Sequence, residues 1–380
     1  MNPRLTRQEL LRRGAAGVTV LSLPGLLAAC GGGDDGGGDE LRDVLNFANW
    51  PFYIDVDEET KQRPTLDQFT EETGIRVNYF EEINDNAEYF AKVQGPLSRG
   101  EGIDRDIFVF TDNSRFPGLL IGQEWVEKLD KDRIPNIENL VEAQQSPPFD
   151  PDREYSLPWM GGMTGIAWNE DVTGPVESLE QLLTDPSLKG KVTMLQEMAD
   201  SVGLAILANG DDPSSVDDDV FTRATDRIQA AVDSGQIRRF TGNDYANPLT
   251  RGDFAASVAW SGDVIQLLAD NPNLKWAVPE EGGMIWTDNM FIPKGGSAAT
   301  ASEYMNFVYR PDVMAKMAGY VNFVPMVQGA REELAKTDPE TAENTLIFPD
   351  DELLARLHQY DSEALNNDDH IQRWQRVLGQ

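Results

Sequence analysis

The sequence predicts an α/β fold, because short apolar segments typical of buried strands alternate with amphipathic helical segments from residue 44 onward. The chain has 380 residues, 40% of them hydrophobic, with eight Trp and sixteen Phe. This apolar content is enough to fill two substantial cores, so we expect two lobes. In folds of this class the binding sites lie at the carboxyl ends of the strands.

The first β-α-β unit begins with the strand VLNFANW, continues with the helix PTLDQFTEETG and returns through the strand IRVNYF. Leu66 and Phe69 share one face of the predicted helix, and Gly74 is placed to end it. The apolar segment DIFVF, residues 106–110, is typical of a strand buried in a parallel sheet.

A second unit is predicted to begin at EYSLPWMGGMTGIAWN, whose proline and glycines stand where a crossover between lobes could bend. Ser178 is placed to cap a short helix that leads through a turn to a further strand, and an amphipathic helix ends before Gly235. We interpret the acidic run 217–219 as the start of that helix, where the macrodipole favours negative charge, and not as a metal site. Helical patterns dominate the remainder of the chain.

The N-terminus is predicted to be an export signal over residues 1–29. Arg12 and Arg13 precede an apolar run that is too short for a membrane span, which needs roughly 20 residues. The run ends in L-A-A-C, which resembles a bacterial lipobox and predicts lipidation of Cys30, the only cysteine. Residues 30–43, rich in Gly and Asp, are expected to form a hydrated tether. The arginine pair leaves twin-arginine and general secretory export both open.

The charge and the residue content exclude several classes of function. A net charge of −33 argues against nucleic acid as a partner and favours cationic ones, although an acidic surface kept for solubility gives the same balance. No nucleophile elbow, phosphate loop or metalloprotease motif is present. His358 and His370 are interpreted as surface residues, and we expect no catalytic residue, no metal site and no cofactor.

Aromatic residues next to acids are the chemistry that remains. A carboxylate pairs with an ammonium group and accepts its hydrogen bonds, while an indole face adds cation–π attraction. The alternative is that each Trp belongs to the core beside a rim acid, and that E-x-x-D is a solvated helix start. The residues in question are Trp50 with Tyr53, Glu197 with Asp200, Trp260 with Asp263, and Trp286 with Asp288.

The chain resembles the spermidine/putrescine-binding proteins of bacterial ABC transporters from about Leu45 to its C-terminus. The specific segments are NWPFYI, FTEETGIRVNY, YSLPWMGGMTGIAWN, NDYANPLTRGDFAASVAWSGD, PEEGGMIWTDNMFIP and NFVYRPDVM. The resemblance implies a type II periplasmic-binding-protein fold, in which each lobe is a mixed sheet flanked by helices and the ligand cleft lies between the lobes. Lobe 1 would comprise residues 44–155 and 282–325, and lobe 2 residues 156–281 and 326–380.

The resemblance also implies the ligand-binding residues. The aromatic and hydroxyl positions are Trp50, Tyr53, Thr111, Trp260, Trp286 and Phe323, and the acidic positions are Glu197, Asp200, Asp263 and Asp288. The chain departs from the family at Pro51, which cannot donate a hydrogen bond, and at Phe323, which replaces a ligand-facing tyrosine. Glu197 and Asp200 match an acidic pair of the family with the two acids exchanged.

We therefore expect a monomeric, lipid-anchored solute-binding protein that faces outside the cytoplasm and delivers a polyamine to the permease subunits of an ABC importer. Three alternatives stay open. A protein of the same fold could bind a different solute, such as another organic cation or an amino-acid derivative. A secreted hydrolase would need a nucleophile and a base, and an adhesion or scaffold lipoprotein would need no cleft.

Overall fold

The computed structural model describes residues 40–57 and 59–379. The predicted export signal, Cys30 and most of the predicted tether lie outside these residues. Among the helices that the structure describes, none is long and apolar enough to cross a membrane.

The described strands form one mixed sheet. In chain order they are β1 (Val44–Asn49), β2 (Arg76–Glu81), β3 (Ile107–Thr111), β4 (Ser156–Asn169), β5 (Val192–Leu195), β6 (Ile237–Thr241), β7 (Ala256–Trp260), β8 (Leu274–Ala277), β9 (Gly283–Phe291), β10 (Val324–Pro325) and β11 (Leu357–His358). The main path runs β2-β1-β3-β9-β4-β7-β5-β6, with β8 and β10 paired to β4 and β11 paired to β9. The predicted α/β fold class is confirmed.

Helices flank the sheet and carry most of the caps that the sequence predicts. In chain order they are α1 (Pro64–Thr73), α2 (Asn86–Ser98), α3 (Phe116–Gly122), α4 (Leu179–Thr184), α5 (Met198–Ala208), α6 (Asp218–Asp233), α7 (Ala246–Arg251), α8 (Ser261–Leu267), α9 (Ala298–Val308), α10 (Pro311–Val321), α11 (Ala330–Leu334), α12 (Pro339–Ala342), α13 (Asp351–Leu354) and α14 (Asp368–Leu378). Gly74 ends α1, Ser178 caps α4, and Asp217 caps α6 by accepting from the Val220 N–H. The acidic run 217–219 is a helix start, as predicted.

The centre of the sheet is the antiparallel pair β4 and β9. All fourteen residues of β4 are buried, and its pairing with β9 is irregular between Pro158 and Gly161. The segment that the sequence marks as the beginning of a second unit is therefore one long strand. On one side β9 pairs with β3, and on the other β4 pairs with β7.

A set of parallel strands lies on each side of the β4–β9 pair. The register of the pairing brings the carboxyl ends of the two sets together. The last residue of β3, Thr111, pairs with Asp288, and the last residue of β7, Trp260, pairs with Thr164. Thr164 in turn pairs with Met284 of β9. Both sets therefore end at the middle of the β4–β9 pair, which is where the loops of the two sides meet.

Candidate functional site

A cavity lies where the strand ends meet. Each of the ten residues predicted as ligand contacts lines it, and none of the ten is more than 8% exposed. The ten residues predicted from the sequence therefore share one cavity. The lining residues are Trp50, Pro51, Tyr53, Asn86, Thr111, Asn113, Glu197, Asp200, Asn243, Trp260, Asp263, Trp286, Asp288 and Phe323.

Asp288 lies on β9, and two hydroxyl groups of other residues point toward its carboxyl. The Tyr53 hydroxyl donates to Oδ2 at 2.8 Å, and the Thr111 hydroxyl donates to Oδ1 at 2.7 Å. Burial raises the pKa of Asp288 to about 7, although both hydrogen bonds lower it. The interpretation of Asp288 as a solvated rim acid is wrong, because its side chain is buried at the wall of the cavity.

Asp263 follows β7 in the first turn of α8 and has a comparable setting. Its Oδ2 accepts from Asn243 Nδ2 at 2.6 Å and from the Tyr245 hydroxyl at 2.7 Å. Burial raises the pKa of Asp263 to about 7, against the lowering effect of those two donors. Tyr245 does not line the cavity, so it orients Asp263 from behind.

Asp200 belongs to the first turn of α5. It accepts hydrogen bonds from Thr164 Oγ1 at 2.8 Å, from Trp260 Nε1 at 3.2 Å and from Asn113 Nδ2 at 3.2 Å. Burial raises its pKa to about 6. The solvated-helix interpretation of the E-x-x-D pair is wrong, because Asp200 and the capping residue Glu197 are both buried.

Glu197 has a different environment from the three aspartates. Its Oε1 accepts from the backbone N–H and from Nδ2 of Asn86, both at 2.8 Å. Burial is the main reason that the pKa of Glu197 lies well above its usual range, and the charge of Asp85 raises it further.

Aromatic rings form the apolar wall of the cavity. Trp260 packs edge-to-face against Trp50 and Trp286, with ring centroids 5.6 Å and 6.2 Å apart. Phe323 extends the wall, since its ring lies 4.6 Å from that of Tyr53 and 6.0 Å from that of Trp286. A Cβ atom at Gly162 would lie 2.6 Å from the Trp286 ring, so this glycine is what lets the indole lie against β4.

The electrostatics of the cavity are one-sided. Four carboxyl groups line it, and no lysine or arginine of residues 40–57 and 59–379 does. Buried carboxylates without a cationic partner are costly, which is why their pKa values are raised. The side chains that the structure describes therefore suit a ligand that brings positive charge, and the tryptophan faces suit its methylene groups.

Three further lining residues were not predicted from the sequence, namely Asn86, Asn113 and Asn243. Each lies within five residues of the carboxyl end of a strand, and that position is the signal that could have identified them. Asn86 is the first residue of α2 and directly follows the cap Asp85. The sequence around Asn86 is therefore explained by helix capping alone and does not indicate a ligand site.

The prediction for His370 is wrong, because its ring is buried and stacks on Phe221 with centroids 4.0 Å apart. Its Nε2 lies 3.0 Å from Asp218 Oδ1, so it links α14 to α6 and does not line the cavity. Within residues 40–57 and 59–379, no group of three or more His, Cys, Asp or Glu side chains is arranged to hold a metal ion.

The fold and the cavity define a ligand-binding protein of the type II periplasmic-binding-protein fold. Residues 65–349 match the family described as bacterial extracellular solute-binding protein, and the chain belongs to this family. Members of this family bind solutes and are not enzymes.

Curated relatives agree with the resemblance stated above. The chain is 25% identical over 317 residues to the spermidine/putrescine-binding periplasmic protein of Salmonella typhimurium. The aligned segment covers 83% of this chain and 86% of the relative. The chain is 28% identical over 336 residues to the putrescine-binding periplasmic protein PotF of Escherichia coli, covering 83% of this chain and 85% of the relative. The predicted resemblance is confirmed.

Solved structures show the same fold. The spermidine/putrescine ABC transporter substrate-binding protein PotD of Streptococcus pneumoniae matches with a TM-score of 0.67 and 25% identity, covering 88% of this chain and 99% of that one. The binding protein AgtB of A. tumefaciens R10, solved with agropinic acid, matches with a TM-score of 0.73 and 18% identity, covering 90% and 100%. The fold is therefore shared by proteins with different ligands.

Proposed function

We propose that this protein binds a polyamine of the putrescine or spermidine class in the cavity and delivers it to the permease of an ABC importer. The single observation that carries the proposal is the cavity, which has buried carboxyl groups and tryptophan walls but, among the described residues, no lining lysine or arginine. An alkyl diammonium ion supplies charge for the carboxylates and methylenes for the indole faces. The relatives named spermidine/putrescine-binding and putrescine-binding periplasmic protein support the same ligand class.

In the proposed complex, Asp288 pairs with one ammonium group and Asp263 or Asp200 with another. Tyr53, Thr111 and Tyr245 then hold the carboxylates by donating their hydroxyl protons. Asn243 Oδ1 is buried without a hydrogen-bond partner in the described part of the chain, so it is a further acceptor for an ammonium proton.

Closure of two lobes is the proposed mechanism of capture. The lobes are residues 44–155 with 282–325 and residues 156–281 with 326–380, and the irregular pairing of β4 and β9 supports bending between them. Because the lining residues come from both lobes, a ligand that contacts both favours the closed form, which the permease can distinguish from the open one. We expect the protein to act as a monomer.

A screen by thermal shift and calorimetry tests the ligand class. Putrescine, spermidine, spermine and agmatine would be compared with amino acids, and 1,4-butanediol serves as the uncharged match for putrescine. We expect at least one polyamine to raise the melting temperature by several degrees at saturating concentration, and the diol to have no effect. Stabilisation by an anion or a sugar, with none by a polyamine, would contradict the proposal.

A different organic cation is the second candidate, and one observation favours it. Trp50 lines the cavity, and its Nε1 is a buried donor with no acceptor among the described residues. A fully protonated polyamine has no acceptor to offer, whereas an amino-acid derivative carries a carboxylate. Preferential stabilisation by an amino-acid derivative in the same screen would select this candidate.

Lipid anchoring through Cys30 is proposed from the sequence motif and has its own test. We expect the wild-type protein to sediment with membranes of a producing bacterium, and Cys30→Ser to move to the soluble extracytoplasmic fraction, because a lipid chain adds about 0.8 kcal/mol of membrane affinity per buried CH₂. Equal membrane association of both proteins would contradict the anchor and would leave ligand binding unaffected.

A further inference from the structure

Gln266 lies in α8, one turn after the cavity residue Asp263, and does not itself line the cavity. Its Nε2 donates to the Phe52 carbonyl at 2.9 Å and to the Val321 carbonyl at 2.7 Å. A glutamine amide has two N–H groups, so these two carbonyls use both of them. One side chain therefore ties α8 to two segments that are distant from it in the sequence.

The first segment is the turn that brings Pro51 and Tyr53 to the cavity. Phe52, between them, has a φ of 60°, in the left-handed region that a bulky residue seldom adopts. Such a conformation persists where surrounding contacts fix it, and the hydrogen bond from Gln266 is one of these contacts. Because Tyr53 donates to Asp288 Oδ2 at 2.8 Å, Gln266 supports Asp288 through this turn.

The second segment is the end of α10 with the loop that follows it. Val321 is the last residue of α10, and Asn322 after it is also left-handed, with a φ of 61°. The last carbonyls of a helix have no donor within the helix, and Gln266 supplies one to Val321. The loop then brings Phe323 to the cavity.

α8 makes these contacts with one face, because residues three and four apart on a helix lie on the same side. Gly262 stands four residues before Gln266, and a Cβ atom there would lie 2.5 Å from the Phe323 ring, so this ring packs on the backbone of α8. Asp263 stands three residues before Gln266 and lines the cavity. The turn and the loop are thus held against the helix that supplies one of the cavity acids.

We propose that Gln266 is a positioning residue that latches the two proposed lobes around a bound ligand and slows its release. Gln266 belongs to proposed lobe 2, whereas Phe52 and Val321 belong to proposed lobe 1, so opening of the cleft breaks both hydrogen bonds. Ligand contacts to both lobes drive closure, and Gln266 then holds the closed form. The latch rests on the proposed function and adds the residue that sets how long the ligand stays bound.

The latch acts on release and not on entry. Gln266 does not line the cavity, so an entering ligand makes no contact with it. Before the ligand can leave, the cleft must open and both hydrogen bonds of Gln266 must break. The loss of two hydrogen bonds is large enough to change a release rate several-fold.

Stopped-flow fluorescence on Gln266→Met tests the latch, because Trp50, Trp260 and Trp286 line the cavity and report binding. Methionine has the length of glutamine but cannot donate to either carbonyl. The probe is putrescine or spermidine, whichever raises the melting temperature of the wild type more. We expect the release rate constant to rise about fivefold or more, and the association rate constant to stay within about twofold.

Gln236→Met is the matched control. Gln236 Nε2 also donates to two backbone carbonyls, those of Leu182 and Asp185, both at 2.9 Å. All three residues belong to proposed lobe 2, so opening of the cleft leaves these hydrogen bonds intact. We expect Gln236→Met to lower the melting temperature while the release rate constant stays within about twofold of that of the wild type.

Gln266→Glu separates the lost donors from an effect of charge. A carboxylate has the shape of the amide but cannot donate to the Phe52 and Val321 carbonyls, and its negative charge attracts an ammonium ligand. The latch therefore predicts faster release from Gln266→Glu, whereas an effect of charge alone would slow release.

Release from Gln266→Met at the rate of the wild type would overturn the latch, and so would equal acceleration by Gln236→Met. A wild type that binds no polyamine would overturn the proposed function instead. The same comparison of release rates, made with the amino-acid derivative that stabilises the wild type in the screen, would then decide the latch. The two failures are therefore distinguishable.

Discussion

Replacing Asp288 by Asn is expected to weaken polyamine binding by about 1.5 to 3 kcal/mol, or roughly 10- to 150-fold, the range for a hydrogen bond to a charged group. Asp288 is 3% exposed, so water cannot replace the lost charge. The shape of the site is retained, because an amide oxygen can accept from Tyr53 or Thr111 in place of the carboxylate. The loss therefore reports the charge, and calorimetry on the wild type and the variant measures it.

The neighbouring residue Asp112 provides the matched control. It is a nearby acid whose Oδ1 accepts from the Thr287 N–H at 2.8 Å, and burial raises its pKa to about 6, but it does not line the cavity. We expect Asp112→Asn to change affinity by less than about threefold, because only a charge in contact with the ligand forms the strong hydrogen bond. Equal effects of the two substitutions, or none from Asp288→Asn, would remove Asp288 from the site.

Local signals explain why much of the fold was predictable. The caps at Ser178 and Asp217 and the glycine after α1 act through residues within a few positions of each other, so a sequence window contains the whole interaction. Strands of apolar residues such as β3 are marked by their own composition. The antiparallel pairing of β4 with β9 joins segments more than 100 residues apart, and no local pattern specifies it.

The site was predictable as a set of residues but not as an arrangement. Trp286 with Asp288 alone is equally compatible with a core residue beside a rim acid, and only the family-like segments around it favoured a ligand site. The contact of Asn86 with Glu197 spans 111 positions and depends on how the two ends of the sheet meet. Glu197 lines the cavity, as predicted, but no local pattern specifies that it accepts two hydrogen bonds from Asn86.

The affinity for a polyamine is expected to fall as the pH drops below about 7. Burial raises the pKa values of Asp263 and Asp288 to about 7 and that of Asp200 to about 6, so these groups take up protons as the pH falls below those values. An ammonium ligand keeps its charge throughout this range, because amine groups of this kind have pKa values near about 10. Binding must therefore release the protons, and each released proton makes affinity change up to about tenfold per pH unit.

The stability of the ligand-free protein is expected to have the opposite pH dependence. A carboxyl whose pKa is higher in the folded than in the unfolded protein contributes stability at low pH that is lost as the pH rises through the folded value. For Asp263 and Asp288 this loss begins near their ordinary value of 3.8 and continues to about 7. The ligand-free melting temperature should thus fall from about pH 5 to about pH 8, while ligand affinity rises over the same interval.

Calorimetry at four pH values and constant ionic strength, repeated in buffers with different ionisation enthalpies, measures both the affinity and the number of protons released. We expect binding at about pH 5.5 to be roughly 10- to 100-fold weaker than at about pH 7.5, with one to two protons released near neutrality. The double variant Asp263→Asn/Asp288→Asn is the control, since without these two carboxyls the affinity should depend less on pH. Affinity that is independent of pH, with no proton release, would mean that the carboxyls are already ionised in the ligand-free protein and that the empty cavity is open to water.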